Sequence, residues 1–351
     1  MAEWARPYAT EPALHCHLCG GRGRELYRGL RDLVQCVAEG EWRLLRCEQR
    51  ECGLIWLDPR PAAPELVRLY RRENADSVAL FHRNALHKLL AAVVRAHLRV
   101  ALGYARGVGP RWQAVLAPLA RLYPGRLGAE AEALYLPAPA DERRSVLDVG
   151  CGDGRLLARL RELGWQVEGV ETDPAAVQAA AANGIRARLG YLESQSFSDE
   201  TFDAVVMSHV VEHLHDPVRV LRECLRVLRP GGWLVMLTPN VESAGHARFG
   251  PDWIGLDPPR HLYLFGRKSV RSLVLSAGFE VVEVQSSARW ARYSLLASRE
   301  VATRSGRASP QGRWERRVLR AVSFIYALET RVAVRFRRDS GDELMVRARK
   351  P

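Results

Sequence analysis

From residue 145 onward the chain alternates between two kinds of hydrophobic pattern. Short, nearly unbroken apolar runs at 145–149, 166–171, 185–189, 202–208, 233–237, 279–285 and 343–347 read as seven strands. Most are separated by stretches with helical spacing and helix punctuation. Arg155–Leu163 is ended by Gly164, and Pro174–Ala182 starts at Asp173-Pro174 and stops at Asn183-Gly184. Val218–Leu228 runs into Arg229-Pro-Gly-Gly232, and Gly266–Ala277 precedes the sixth strand. Strand–helix alternation of this kind predicts an α/β, Rossmann-like fold: a parallel seven-stranded sheet with right-handed crossovers, helices on both faces, and a ligand outside the carboxyl ends of the strands.

The pattern before residue 145 differs. Residues 1–60 carry two cysteine pairs, Cys16-His-Leu-Cys19-Gly-Gly and Cys47-Glu-Gln-Arg-Glu-Cys52-Gly, around segments that alternate like short strands, such as Trp42–Arg46. Two thiolate pairs on glycine-bearing knuckles close a tetrahedral structural zinc site, which predicts a small zinc ribbon. The second pair has a wider spacing, His15 and His17 are substitute ligands, Cys36 is a spare, and reduced buried thiols are the plainer reading. Residues 61–140 read as a helical cap or linker. A short helix carries Leu66 and Leu69 on one face, 77–136 is rich in Ala, Leu and Arg, and Pro137-Ala-Pro-Ala140 leads into the main domain, 141–351. Within that domain a helical insertion is expected near 291–338, where Val318, Leu319, Val322, Leu328 and Val332 recur among arginines. A basic amphipathic helix of this type packs on its own protein or lies on an anionic membrane surface, so a peripheral membrane contact is one expectation.

The glycine turn at 150–154 is the first candidate for chemistry. Gly150, Gly152 and Gly154 follow the first strand and open a helix, letting backbone approach a ligand closely. Glu171 ends the next strand, where a ribose-binding acid belongs. Asp148 stands just before the turn and favours a ligand carrying an ammonium group over a pyrophosphate.

Val146-Leu-Asp-Val-Gly-Cys-Gly-Asp-Gly154, Phe202-Asp-Ala-Val, Val211-Glu-His-Leu-His-Asp-Pro217 and Leu228-Arg-Pro-Gly-Gly-Trp-Leu-Val235 together resemble class I S-adenosylmethionine-dependent methyltransferases over about residues 142–286. The resemblance implies that Glu171 holds the ribose and that Asp148, Gly150 and Gly152 hold the methionine end. It further implies that Thr172, Tyr191 and Leu192 wall the adenine, with Glu193 as a stand-in for the family's acid, and that Ser208 ends the fourth strand beside the cofactor. His209, Glu212 and His213, at i, i+3 and i+4, are expected on one helical face, suited to a general base, a divalent metal or simple packing. They resemble the Glu-x-x-Glu-His pattern of ubiquinone-pathway O-methyltransferases, with His209 in place of the first glutamate. The loop containing His246, Trp253 and Asp257–Phe265 adds His261 as a second candidate base and Arg260 as a grip for an anionic acceptor. Bacterial methyltransferases with an amino-terminal zinc ribbon carry similar segments.

The implied activity is methyl transfer from S-adenosylmethionine to a small molecule, with O-methylation of a sugar, phenolic or lipid-linked intermediate leading. An RNA methyltransferase that grips nucleic acid through its ribbon, or a cofactor-binding module without activity, is the alternative. Charge changes this picture little. The net +12 comes from arginines spread along the chain, with lysine only at Lys88, Lys268 and Lys350, so nucleic acid is not the expected partner. Met1–Pro12 does not read as a signal peptide and seven cysteines do not form a disulfide framework, so the expected location is the cytoplasm.

Overall fold

A computed structural model describes residues 8–70, 143–337 and 339–351, together with 92–93, 96–100, 102–105, 115, 135–139 and 141. Most of the expected helical stretch 77–136 thus lies outside the described residues. The parts at 92–93, 96–100 and 102 are helical, and Leu98 and Tyr104 are buried.

The amino-terminal segment is built of β1 (Thr10–Glu11), β2 (Gly23–Leu30), β3 (Trp42–Cys47), β4 (Ile55–Asp58) and β5 (Arg60–Pro61), followed by α1 (Ala63–Tyr70). Strands β2, β3 and β4 form an antiparallel meander, and β1 pairs with β5. The main domain then runs β6 (Ser145–Val149), α2 (Arg155–Glu162), β7 (Gln166–Glu171), α3 (Pro174–Ala182), β8 (Ala187–Leu189), β9 (Phe202–Ser208), α4 (Pro217–Val227), β10 (Leu228–Pro239), α5 (Ala244–Phe249), β11 (Tyr263–Leu264), α6 (Arg267–Ser276), β12 (Glu280–Ser287), α7 (Ala291–Arg304), α8 (Arg313–Phe336) and β13 (Glu343–Arg349). Asp173 caps α3 by accepting from Ala175 N–H, and Asp216 caps α4 by accepting from Arg219 N–H, each with proline in the first turn.

The main sheet has the order β12-β13-β10-β9-β6-β7-β8. It contains the seven expected strands, but it is mixed and not wholly parallel. β13 runs antiparallel to both β10 and β12. Helices α7 and α8 pack against each other as a hairpin between the last two strands. That hairpin returns the chain to the edge it left, so β13 enters reversed. The fifth strand also starts earlier than its apolar run: Leu228 pairs with Phe202, and Arg229-Pro-Gly-Gly232 forms an irregularity before Trp233 resumes the register.

Alternate strand residues feed two cores, one on each face. Leu147, Val205, Met207, Leu234, Met236 and Val346 pack with α4 and α6. Val146, Ala204, Val206, Val235, Leu237 and Met345 pack with α2, α3, Trp165 and Tyr104. The first of these cores continues without a break into the amino-terminal segment through Leu54, Ile55, Trp56 and Leu57, all but inaccessible to solvent.

That segment also shares a sheet with the main domain. β11, from the loop after β10, pairs antiparallel with β4 as its fourth strand, Tyr263 opposite Trp56 and Leu264 opposite Ile55. A second tie is ionic. Arg260 is fully buried and donates to both oxygens of Asp32, at 3.1 and 3.3 Å, and to Asp257 through Nε at 2.9 Å. Asp32 accepts further bonds from the backbone N–H groups of Gln35, Val37 and Ala38. The arginine is therefore spent on structure, and its expected role as a grip for an anionic acceptor is overturned by its burial. Removing Asp32 leaves the buried guanidinium with Asp257 as its remaining carboxylate and takes the acceptor from three backbone N–H groups. Asp32→Ala should lower unfolding free energy by about 3–5 kcal/mol in denaturant titration; a loss under about 1 kcal/mol would show that the pair does not join the two parts.

Candidate active site

A cavity of about 290 Å³ opens at the carboxyl ends of β6, β7 and β9. Its floor is the glycine turn. Gly150 has φ +75°, and a Cβ there would meet Val210 Cγ2 at 2.5 Å, so only glycine fits. Gly152, at φ +53°, faces open space and donates its N–H to Glu171 at 2.8 Å. Glu171 is held in place by that bond and by the N–H groups of Thr172 (2.7 Å) and Asp173 (3.0 Å). Thr172, Tyr191 and Leu192 line the same cavity, with Glu193 and, from the segment before the main domain, Leu66 of α1.

Asp148 lies behind this floor and not on the cavity wall. It is buried, its Oδ1 has no hydrogen-bond partner, and burial, followed by the nearby Glu171 charge, pushes its carboxyl well above the usual range. Ser208, at the end of β9, is likewise off the wall. The orphaned carboxyl oxygen, the glycine floor and the rim carboxylate of Glu171 suit a ligand with a hydroxylated ring at one end and a hydrogen-bond donor at the other.

The opposite wall carries the histidines. His209, Glu212 and His213 do come together, but on no regular α-helical face. His209 adopts a left-handed backbone (φ 55°), and Val211–His213 is a single 3₁₀ turn. His209 bridges two buried carboxylates, Nδ1 to Glu212 at 3.2 Å and Nε2 to Glu343 at 2.9 Å. Burial alone would push its pKa down, but the hydrogen bonds and charges of the two glutamates outweigh it and hold the imidazole up at about 9. Glu212, also bonded by Thr238 Oγ1 at 3.0 Å, is drawn the other way: its burial is outweighed by His209 and the neighbouring imidazoles, and it sits at about 2. Glu343 is bound in addition by Arg289 and by Trp290 Nε1.

His213 behaves differently. Its Nδ1–H donates to the carbonyl of Arg260 at 3.0 Å, which fixes the tautomer and puts the lone pair on Nε2. Burial, then the charge of His261, pushes it down to about 4, so it is neutral at pH 7. His213 lines the cavity with His209. His261 stacks on His213 with ring centroids 4.8 Å apart and donates Nδ1–H to Gly255 O at 2.8 Å. His261 and Glu212 are buried beside the cavity and do not line it. Ligand atoms of Glu212, His213 and His261 lie within 4.8 Å of one another, and both imidazoles are fixed by backbone carbonyls, as the outer partners of metal-binding histidines usually are.

The four paired cysteines also converge. Cys16 Sγ lies 3.5 Å from Cys52 Sγ and Cys19 Sγ lies 3.4 Å from Cys47 Sγ, all four within 4.8 Å. Gly20 and Gly53 take left-handed conformations just after the two knuckles. His15 and His17 stay out of the group: His15 bridges to Arg22, and His17 lies 3.5 Å from Asp216. The exposed Cys36 is outside it as well.

With this geometry in place, a methyltransferase-domain family model matches residues 123–284. A ubiquinone biosynthesis O-methyltransferase from Xanthomonas oryzae is 32% identical over 177 residues, 48% of this chain and 72% of that protein. The chain belongs to the S-adenosylmethionine-dependent methyltransferases. A probable S-adenosylmethionine-dependent methyltransferase from Mycolicibacterium smegmatis is 30% identical over 57% of this chain and 79% of its own. A 35% identical ubiquinone biosynthesis O-methyltransferase from Albidiferax ferrireducens is matched over 42% of its length. Among solved structures, a methyltransferase from Mesorhizobium loti aligns over 66% of this chain and 99% of its own at 17% identity, with a TM-score of 0.42.

Two groups at the methyltransferase's site escape a reading by spacing. Glu343 opens the last strand, 134 residues from His209, and its only local signal is an acid ahead of the apolar run Leu344–Val346. Arg289 and Trp290 sit in the turn before α7. The pairing makes a titration testable. The His209 charge stabilises the fold fully below its ordinary value of 6.5, and that contribution is lost as pH rises through about 9. Glu343→Gln should move the His209 titration, followed by histidine-selective NMR, down by at least about one unit; an unchanged midpoint would show that Glu343 does not set the charge.

Proposed function

We propose that this methyltransferase transfers a methyl group to a hydroxyl oxygen of a small-molecule acceptor. The observation that carries the reading is His213: a neutral imidazole on the cavity wall, held in one orientation by the bond from its Nδ1–H to a backbone carbonyl. The relatives named as ubiquinone biosynthesis O-methyltransferases support a hydroxyl as the accepting group.

Glu171 would hold ribose hydroxyls, and the backbone at Gly150 and Gly152 would hold the methionine end, with Asp148 buried behind it. S-adenosylmethionine, when bound, supplies an electrophilic methyl on its sulfonium, so the protein's task is mainly alignment. His213 would take up the acceptor hydroxyl's proton as that oxygen bonds to the methyl carbon and the methyl–sulfur bond breaks, its electron pair staying on sulfur. His209 neutralises Glu212, which lets that carboxylate stay buried beside the reacting groups without strong repulsion of an oxygen nucleophile.

A second reading has its own support. A histidine at about 4 is a weak base, and Glu212, His213 and His261 are arranged as two carbonyl-fixed imidazoles and a carboxylate. A divalent cation on these three would acidify the acceptor hydroxyl. The separate group Cys16, Cys19, Cys47 and Cys52 is proposed to hold a structural zinc, since four thiolates leave no open position.

Glu171→Ala should weaken S-adenosylmethionine binding at least tenfold, about 1.4 kcal/mol, in calorimetry. His213→Ala should instead cut turnover by about a hundredfold and leave cofactor affinity within about twofold. Full turnover in the histidine variant would remove it from the chemistry. Metal analysis should find one zinc per chain, lost in Cys16→Ser/Cys52→Ser; a folded protein free of zinc would refute the ribbon site. Manganese binding by calorimetry that disappears in His261→Ala would favour the metal-assisted reading.

A further inference from the structure

Helix α8 has two apolar faces on opposite sides. One is internal: Ser323, Tyr326 and Thr330 are buried toward α7. The other is open. Val318, Val322, Ile325, Leu328 and Val332 recur every three or four residues, with Trp314 and Phe336 at the ends, and all are exposed, Trp314 at 73% and Phe336 at 82%; one carboxylate, the exposed Glu329, stands among them. At 1.5 Å per residue the stripe is roughly 33 Å long. A surface helix of a soluble domain normally turns its polar face outward, so a second apolar stripe is unexplained by packing.

We propose that this face of α8 lies in the plane of an anionic lipid bilayer. The charges point to that occupant. The helix contains six arginines and two glutamates, a net +4 within a chain of +12. By helical geometry the exposed Arg313, Arg317 and Arg320 share one flank of the stripe, where they would meet lipid phosphates as the apolar residues enter the acyl boundary. A second copy docked antiparallel would set arginine row against arginine row. No helix among the described residues is long and apolar enough to cross a membrane, which leaves the interfacial arrangement for α8. α7, packed on the internal face of α8, starts beside Trp290, whose ring meets His209 edge-on at 5.7 Å and Tyr293 at 5.3 Å.

The test is co-sedimentation of the full chain with vesicles of phosphatidylcholine containing roughly 30% phosphatidylglycerol, against phosphatidylcholine alone. The wild type should bind the anionic vesicles, at least about tenfold more weakly when they lack phosphatidylglycerol. Ile325→Glu/Leu328→Glu should lower that binding at least about tenfold, while S-adenosylmethionine affinity stays unchanged as a check on folding. A parallel variant, Arg317→Gln/Arg320→Gln, should weaken binding and reduce its salt dependence. Absence of vesicle binding, or equal binding by wild type and Ile325→Glu/Leu328→Glu, would overturn the proposal. So would sedimentation velocity showing a dimer that the same double variant dissociates, because the stripe would then be an interface between copies of the chain.

Discussion

Leu262 is held from both sides: its N–H donates to the carbonyl of Glu212 and its carbonyl accepts from the N–H of Leu57, at 2.8 and 2.9 Å. Through this one residue the cysteine-bearing segment, the loop after β10 and the histidine turn after β9 become a single braced unit. The buried Arg260 pair with Asp32 and Asp257 fastens the same loop a second time. A 3₁₀ turn of three residues has few bonds of its own, so its histidines owe their fixed positions to this bracing. The cysteine group lies on the same meander, and His17, between Cys16 and Cys19, has its ring 5.4 Å from that of Tyr263 in β11.

The two sides of the cavity handle charge in opposite ways. Beside the glycine turn Glu171 accepts from three backbone N–H groups, while Asp148, beneath it, has an unmet oxygen. On the acceptor side the carboxylates of Glu212 and Glu343 are matched by His209 and Arg289. His213 remains neutral between them. A buried site can hold this many ionisable groups only because each charge has a partner or is suppressed.

The gathering of the glycine turn, Glu171 and Thr172 around one cavity was legible from residue order because it is local. The glycine turn, Glu171 and Thr172 lie within one strand–helix–strand unit, where element lengths fix which ends meet. The helix spans at 155–162 and 174–182 and the seven strands followed from the same regular spacing. The acceptor side is assembled from distant pieces. Arg260 and Asp32 are 228 residues apart, and β11 joins a sheet begun at Gly23, so neither the burial of the arginine nor the shared sheet had a local signal. The i, i+3, i+4 spacing of His209, Glu212 and His213 correctly brought them together while misstating the backbone that does it, because His209 turns left-handed before the 3₁₀ turn. The reversal of β13 was hidden for a related reason: strand direction depends on where the α7–α8 hairpin returns the chain, and no strand pattern records that.

The central claim is that the wall bearing His213 directs a methyl group to oxygen. The most direct measurement is to incubate the protein with methyl-labelled S-adenosylmethionine and a panel of phenolic, sugar and amine acceptors together with RNA, and to identify the labelled atom by mass spectrometry and NMR. The account predicts label on a hydroxyl oxygen of a small molecule, with formation lost in His213→Ala under saturating cofactor. Label on nitrogen, on carbon or in RNA, or undiminished label in that variant, would contradict it.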